Sequence, residues 1–150
     1  MNPARNLMPL TLAGCACTVS LVGCIPIPYP IYKTLQPEAR VLVLDQNERP
    51  IAGAQVTLIA RANPTPFEQS RETKFSDSQG VARFARRQEW KTEVIFLHGS
   101  LDYYWNWCIT HKDYASFESG RGGEKFEPNL TVRLQPGTPT PCDPPDTKRH

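Results

Sequence analysis

Histidine is scarce in this chain of 150 residues, and its three copies, His98, His111 and His150, show no tight metal-ligand spacing. His111 and Asp113 would share one face of a strand. An exposed strand end is the reading preferred for them, and no metal or other cofactor is expected. No G-x-S-x-G elbow is present to activate a serine. Gly120-Arg121-Gly122-Gly123 is not followed by a helix pattern, which points to a loop rather than a phosphate cradle. Charge of one sign is missing too. The balance of 17 basic and 15 acidic residues leaves +2 and gives no ground for binding nucleic acid. No stretch offers three helical turns free of Pro and Gly, and no internal repeat is visible. Catalysis is not expected, and the length suits one ordinary domain rather than two.

Proline and cysteine are what the chain does have. Its 15 prolines are about twice the usual ~5%. They gather in IPIPYPIYKTLQP and LQPGTPTPCDPPD, which marks both ends as extended. Ahead of the first, Arg5 supplies a positive start and Leu7 to Gly23 carries no charge. That run falls short of the ~20 apolar residues of a membrane span, and an export signal over residues 1–23 fits better. Its end, Leu21-Val22-Gly23-Cys24, resembles the lipobox of bacterial lipoproteins, in which a Cys thiol carries diacylglycerol and becomes the new N-terminus. The resemblance implies lipidation of Cys24, and so attachment to a membrane by an N-terminal lipid. Leu12-Ala13-Gly14-Cys15 is the competing cut point and, in isolation, the closer match. It would leave only Leu7 to Gly14 as apolar core, at the short limit for an export signal. Ile25 rather than Asp follows Cys24, which implies an outer-membrane protein facing the periplasm. With Cys15 and Cys17 gone and Cys24 lipidated, Cys108 and Cys142 remain. In an exported chain that even pair is expected to form a disulfide.

Residues 24–38 are expected to form a polyproline-like spacer, which at ~3.1 Å per residue would hold a domain roughly 30–40 Å from the lipid. Docking of its Ile and Tyr residues on the domain is the alternative. From Ala39 onward short β-like runs alternate with turn chemistry. Arg40–Leu44 suits an inner strand, and Asp45–Pro50 is a turn cluster. Ala54–Ala60 alternates like a half-buried strand, and Arg71–Ser76 is more polar. Asp77-Ser78-Gln79-Gly80 is a tight turn. Val81–Ala85, Thr92–Leu97, Tyr103–Thr110 and Leu130–Leu134 follow. Seven short strands over about 100 residues point to an all-β fold, a β-sandwich.

VLVLDQNERPIAGAQVTL, then SDSQGVARF, then WCITHKDYASF resemble a carboxypeptidase-regulatory-like domain over about residues 39–135. The residues that carry the first signature are Val41, Val43, Asp45, Pro50, Ile51, Gly53, Ala54, Val56 and Leu58, with Asn47 or Glu48 where the family has a turn Gly. Ser76, Asp77, Gly80, Ala82 and Phe84 carry the second. The resemblance implies a single seven-stranded Greek-key sandwich of prealbumin or transthyretin type over residues 39–136, followed by a Pro-rich tail at 137–150. It is weak on function, because such modules serve many proteins. Two enzymes on related folds offer no match. The Tyr-Arg-Gly-Ser ending of hydroxyisourate hydrolases is missing, as is the two-Tyr, two-His iron set of intradiol dioxygenases.

The sharpest feature is the aromatic set Tyr103, Tyr104, Trp105, Trp107, Tyr114 and Phe117. Alternation puts Tyr103, Trp105 and Trp107 on one face, with Tyr104, Asn106 and Cys108 on the other. Trp105 and Trp107 are expected to face the core. Turned outward, Tyr103, Trp105, Trp107 and Tyr114 would form a stacking surface for a sugar ring or a partner loop. The function expected is a lipid-anchored, non-catalytic binding or assembly module of the cell envelope, with an envelope protein or glycan as partner. Two alternatives stand beside it: a periplasmic inhibitor or immunity-type protein presenting Ala115–Lys125, and a lipoprotein component of a secretion or envelope assembly.

Overall fold

The computed structural model describes residues 28–63, 67–94, 102–119 and 125–143. Two-residue alternation runs through them, and they form nine strands and no helix. The strands are β1 (Pro28–Gln36), β2 (Ala39–Leu44), β3 (Gln55–Asn63), β4 (Glu68–Phe75), β5 (Val81–Phe84), β6 (Arg87–Val94), β7 (Asp102–His111), β8 (Tyr114–Glu118) and β9 (Asn129–Arg133). They assemble as a three-stranded sheet β5-β2-β9, a four-stranded sheet β4-β3-β7-β8 and a two-stranded ribbon β1-β6. All pairs are antiparallel except β2 with β9.

The two larger sheets bury one face each against the other. Val41 and Val43 of β2, Ala82 and Phe84 of β5 and Val132 of β9 meet Val56 and Leu58 of β3 and Trp107 and Ile109 of β7 in one apolar cluster. Phe84 and Trp107 join the sheets edge-on, with ring centroids 5.2 Å apart. Alternate residues such as Arg40, Arg83 and Arg133 stay in solvent, as a one-sided sheet requires. The result is an all-β, sandwich-like architecture.

Two turns bind the sheets together. In the first, Asp45 Oδ1 accepts hydrogen bonds from the amides of Asn47 (2.7 Å) and Arg49 (2.9 Å). That leaves Glu48 at the apex with φ of 61°. Of the two residues standing where a turn Gly was expected, Glu48 rather than Asn47 therefore takes the left-handed conformation. In the second, Asp77 Oδ1 accepts from the amides of Gln79 and Val81, both at 2.9 Å. Gly80, with φ of 73°, lies so close to β2 that a Cβ there would stand 2.5 Å from the Val43 carbonyl oxygen. Ser76 completes the junction. Its buried hydroxyl accepts from the Ala54 amide (2.9 Å) and donates to the Ile51 carbonyl (2.7 Å).

Two strands exceed the seven expected. β1 takes up most of the expected spacer, because a two-stranded ribbon tolerates proline. Pro28 and Pro30 share one parity, so their missing N–H groups face away from β6 and no ladder bond is lost. β8 occupies ground assigned to an exposed loop. The chain reverses at Lys112-Asp113, pairs Tyr114 with His111 and runs back along β7. β6 also begins five residues before the strand expected at Thr92–Leu97, whose last three residues lie outside the described ones.

The C-terminal segment is not a free tail as far as residue 143. The Ala115 amide donates to the Gln135 carbonyl at 2.8 Å, and Ser116 Oγ donates to the Thr140 carbonyl at 2.6 Å. The chain then reaches the outer face of β7, where Cys142 is bonded to Cys108. Residues Thr57, Ile59 and Cys108 on that face are buried. The half-buried strand expected at Ala54–Ala60 is thus covered on both sides.

Candidate functional site

Tyr103, Trp105, Trp107 and Tyr114 do not form one exposed surface. Trp107 is 1% exposed, its ring wedged between Phe84 and Phe126 and its Nε1–H donating to the Glu127 carbonyl at 3.1 Å. It is a core residue, since an indole between two sheets loses water on both faces and needs one internal acceptor. Trp105 is half-buried and donates its Nε1–H to the Leu35 carbonyl of β1 at 3.0 Å. Tyr103 lies under the Lys33 ammonium, 5.0 Å from ring centre to nitrogen. Tyr114 packs edge-on against the His111 ring at 5.3 Å. An outward platform of Tyr103, Trp105, Trp107 and Tyr114 is therefore corrected: the first two hold β1, the third fills the core and the fourth sits at the β7–β8 turn.

What the fold does build is a cleft of about 560 Å³ beside the end of β8. Its floor is aromatic, from Trp105, Trp107, Phe117 and Phe126, and its rim carries Glu118, Lys125 and Glu127. Each part has a local cause. Trp105 and Trp107 reach it because they share the inner face of β7, and Phe117 lies opposite Ile109 across the β7–β8 pair. Phe126 stacks on Trp107 with centroids 5.5 Å apart and is tilted against Trp105 at 5.7 Å. Ser119 Oγ accepts from the Trp107 amide at 2.7 Å, which holds the residue after β8 against the middle of β7. An aromatic floor with carboxylates at its edge suits a ring or aliphatic surface that also bears hydroxyl or cationic groups.

Phe126 and Glu127 were not singled out in the sequence. Their signal was a lone aromatic in a charged stretch just before the last strand, in GEKFEPNL, and nothing local says that it folds back onto β7. Asn106 faces the opposite side of the sheet, as the alternation implies, and is buried there. Asp102 is exposed at the start of β7 and does not line the cleft.

Among the described residues, Cys108, Glu118 and Cys142 bring potential ligand atoms within 4.8 Å of one another. The two sulfurs are bonded to each other, so neither is a thiolate available to an ion. His111 Nδ1 accepts weakly from the Asp113 amide at 3.4 Å and lies 3.9 Å from the Asp113 carboxylate. His98, His150, the Gly120–Gly123 run and Cys15, Cys17 and Cys24 lie outside the described residues. The two carboxylates with lowered pKa are turn residues, not cleft residues. The Arg49 amide, above all, holds Asp45 below the ordinary carboxylate value, and the Val81 amide does the same for Asp77. No protein-family model, characterised protein or solved structure matches the chain.

Proposed function

We propose that this chain is a lipid-anchored protein of the bacterial cell envelope that works as a non-catalytic binding module, with the cleft at Trp105 and Phe126 as its site. Residues 1–23 serve as the export signal and Cys24 carries the lipid, which places the protein at the outer membrane facing the periplasm. The sandwich belongs to the prealbumin-like, carboxypeptidase-regulatory-like type, with β1 and β8 as additions to its seven strands. The Ser76, Asp77 and Gly80 contacts support that assignment, because they give each residue of the second signature a physical task.

The single observation that carries the binding role is the cleft itself. Its floor is part of the rigid core, through the Phe84–Trp107–Phe126 ring contacts, while its rim keeps two carboxylates and one ammonium. A preformed cleft with an aromatic floor lowers the ordering cost of binding. The ligand class that fits is an envelope glycan carrying amine or hydroxyl groups. Titrating the purified protein with soluble cell-wall glycan fragments while reading tryptophan emission tests this. Saturable quenching in the wild type that disappears in F126A supports it. A flat titration sinks the glycan reading and leaves the assembly role, for which co-purification with membrane proteins is the readout.

A further inference from the structure

The β1–β6 ribbon has two unlike faces. Residues Lys33, Glu89, Lys91 and Glu93 all share one parity, and on that face Glu93 pairs with Lys33 and accepts a hydrogen bond from the Tyr29 hydroxyl. The opposite parity carries Pro28, Pro30, Tyr32 and Thr34 on β1 against Gln88, Trp90 and Thr92 on β6, with no charge among them. Tyr32 and Trp90 are direct cross-strand partners with ring centroids 5.3 Å apart, yet they remain 53% and 70% exposed. Their parity is that of the prolines, which cannot donate to β6. They therefore form a non-hydrogen-bonded pair, the kind in which side chains stand closest.

The geometry points to this uncharged face as a membrane-docking surface that lays the ribbon on the lipid headgroups. The inference rests on the anchor reading above. Only three residues lie between Cys24 and Pro28, and the four chain steps reach at most about 14 Å when extended. A headgroup layer is itself roughly 5–8 Å deep. Pairing of β1 with β6 has used up the spacer that would have kept the domain clear of the membrane. The end of the ribbon is tethered at the interface, and the face it offers there is the one whose burial costs no charge. Tyr and Trp suit that depth, with an apolar ring toward the acyl chains and a polar tip in the headgroups.

The test uses the lipidated chain reconstituted into vesicles of phosphatidylethanolamine and phosphatidylglycerol, with bromine on the acyl chains near the headgroup as quencher. Tryptophan emission should drop relative to unbrominated vesicles. The drop should vanish in W90F, which keeps Trp105 and Trp107, and shrink in Tyr32→Ser. The mass of the N-terminal peptide is read on the same sample. Lipid on Cys24 with equal emission in both vesicles overturns the docking while sparing the anchor. A missing lipid overturns the anchor and with it the tether on which the docking stands. A dimer in which Trp90 is shielded without lipid also overturns it, the occupant then being a second copy of the chain.

Discussion

In β2, Val41 and Val43 alternate with Arg40 and Leu42, and the two valines lie beneath the opposing sheet. In β1, Pro30 and Tyr32 alternate with Ile31 and Lys33, and it is the Pro and Tyr that stand in solvent while Lys33 turns inward. Both strands have the same period, and β1 pairs regularly with β6 from Pro28 to Thr34. They differ in what lies opposite. β2 faces apolar side chains of the second sheet, among them Val56, Leu58 and Trp107. The inner face of β1 meets Glu93 and the Tyr103 ring, a partnership that suits an ammonium. Alternation thus tells which residues share a face, but the neighbouring layer decides which face is buried.

The comparison can be broken most strongly at Trp107. Trp107→Ala should cost about 3–5 kcal/mol, lowering the denaturant midpoint of the whole chain, ribbon included. Losing the disulfide comes next. The Cys108→Ser, Cys142→Ser double variant reopens a loop spanning a sequence separation of 34 and should cost roughly 3–4 kcal/mol, seen as a lower Tm that reducing agent reproduces in the wild type. Trp105→Phe should separate the two regions. Removing its hydrogen bond to the Leu35 carbonyl costs about 1 kcal/mol. Faster amide exchange should appear in β1 and β6 while β3 and β7 stay protected. Equal acceleration everywhere would mean that ribbon and sandwich open as one unit.

Acid should produce a smaller loosening of the turns. Asp45 and Asp77 have folded-state pKa values below their ordinary value because backbone amides bond their carboxylates. Their contribution is therefore complete above the ordinary carboxylate range and is lost as pH falls through the lowered values. Tm measured from pH 6 down to pH 2 should fall less steeply in the D45N, D77N variant than in the wild type. The least effect is expected at Trp90. Its replacement by Phe should leave stability within about 0.5 kcal/mol, because an exposed ring in a ribbon has no second layer to lose.

Most of the sandwich was legible. Arg40–Leu44, Arg71–Ser76, Val81–Ala85 and Leu130–Leu134 lie within a few residues of β2, β4, β5 and β9, since their turns are written in Asp, Gly and Pro. The Cys108–Cys142 pair followed from counting cysteines, and the structure joins it. β1 was not legible, because alternate prolines signal an extended chain whether or not a partner strand runs beside it. β8 was hidden by its length of only five residues and by a turn, Lys112-Asp113, that lacks Gly. The candidate site was legible only in half. Trp105 and Trp107 advertised themselves as aromatic neighbours on a strand, whereas Phe126 joins them from 19 residues beyond Trp107 along the chain.

By itself the sequence determined the strand periodicity, the two Asp-capped turns and the cysteine pairing, all of which depend on residues close together or on simple counting. Only the tertiary structure decided that β3 is covered on both faces, that the Pro-rich segment pairs with β6 and that Tyr32 and Trp90 face out. Those outcomes depend on which layer comes to lie against which, and each layer is supplied by residues distant in the chain.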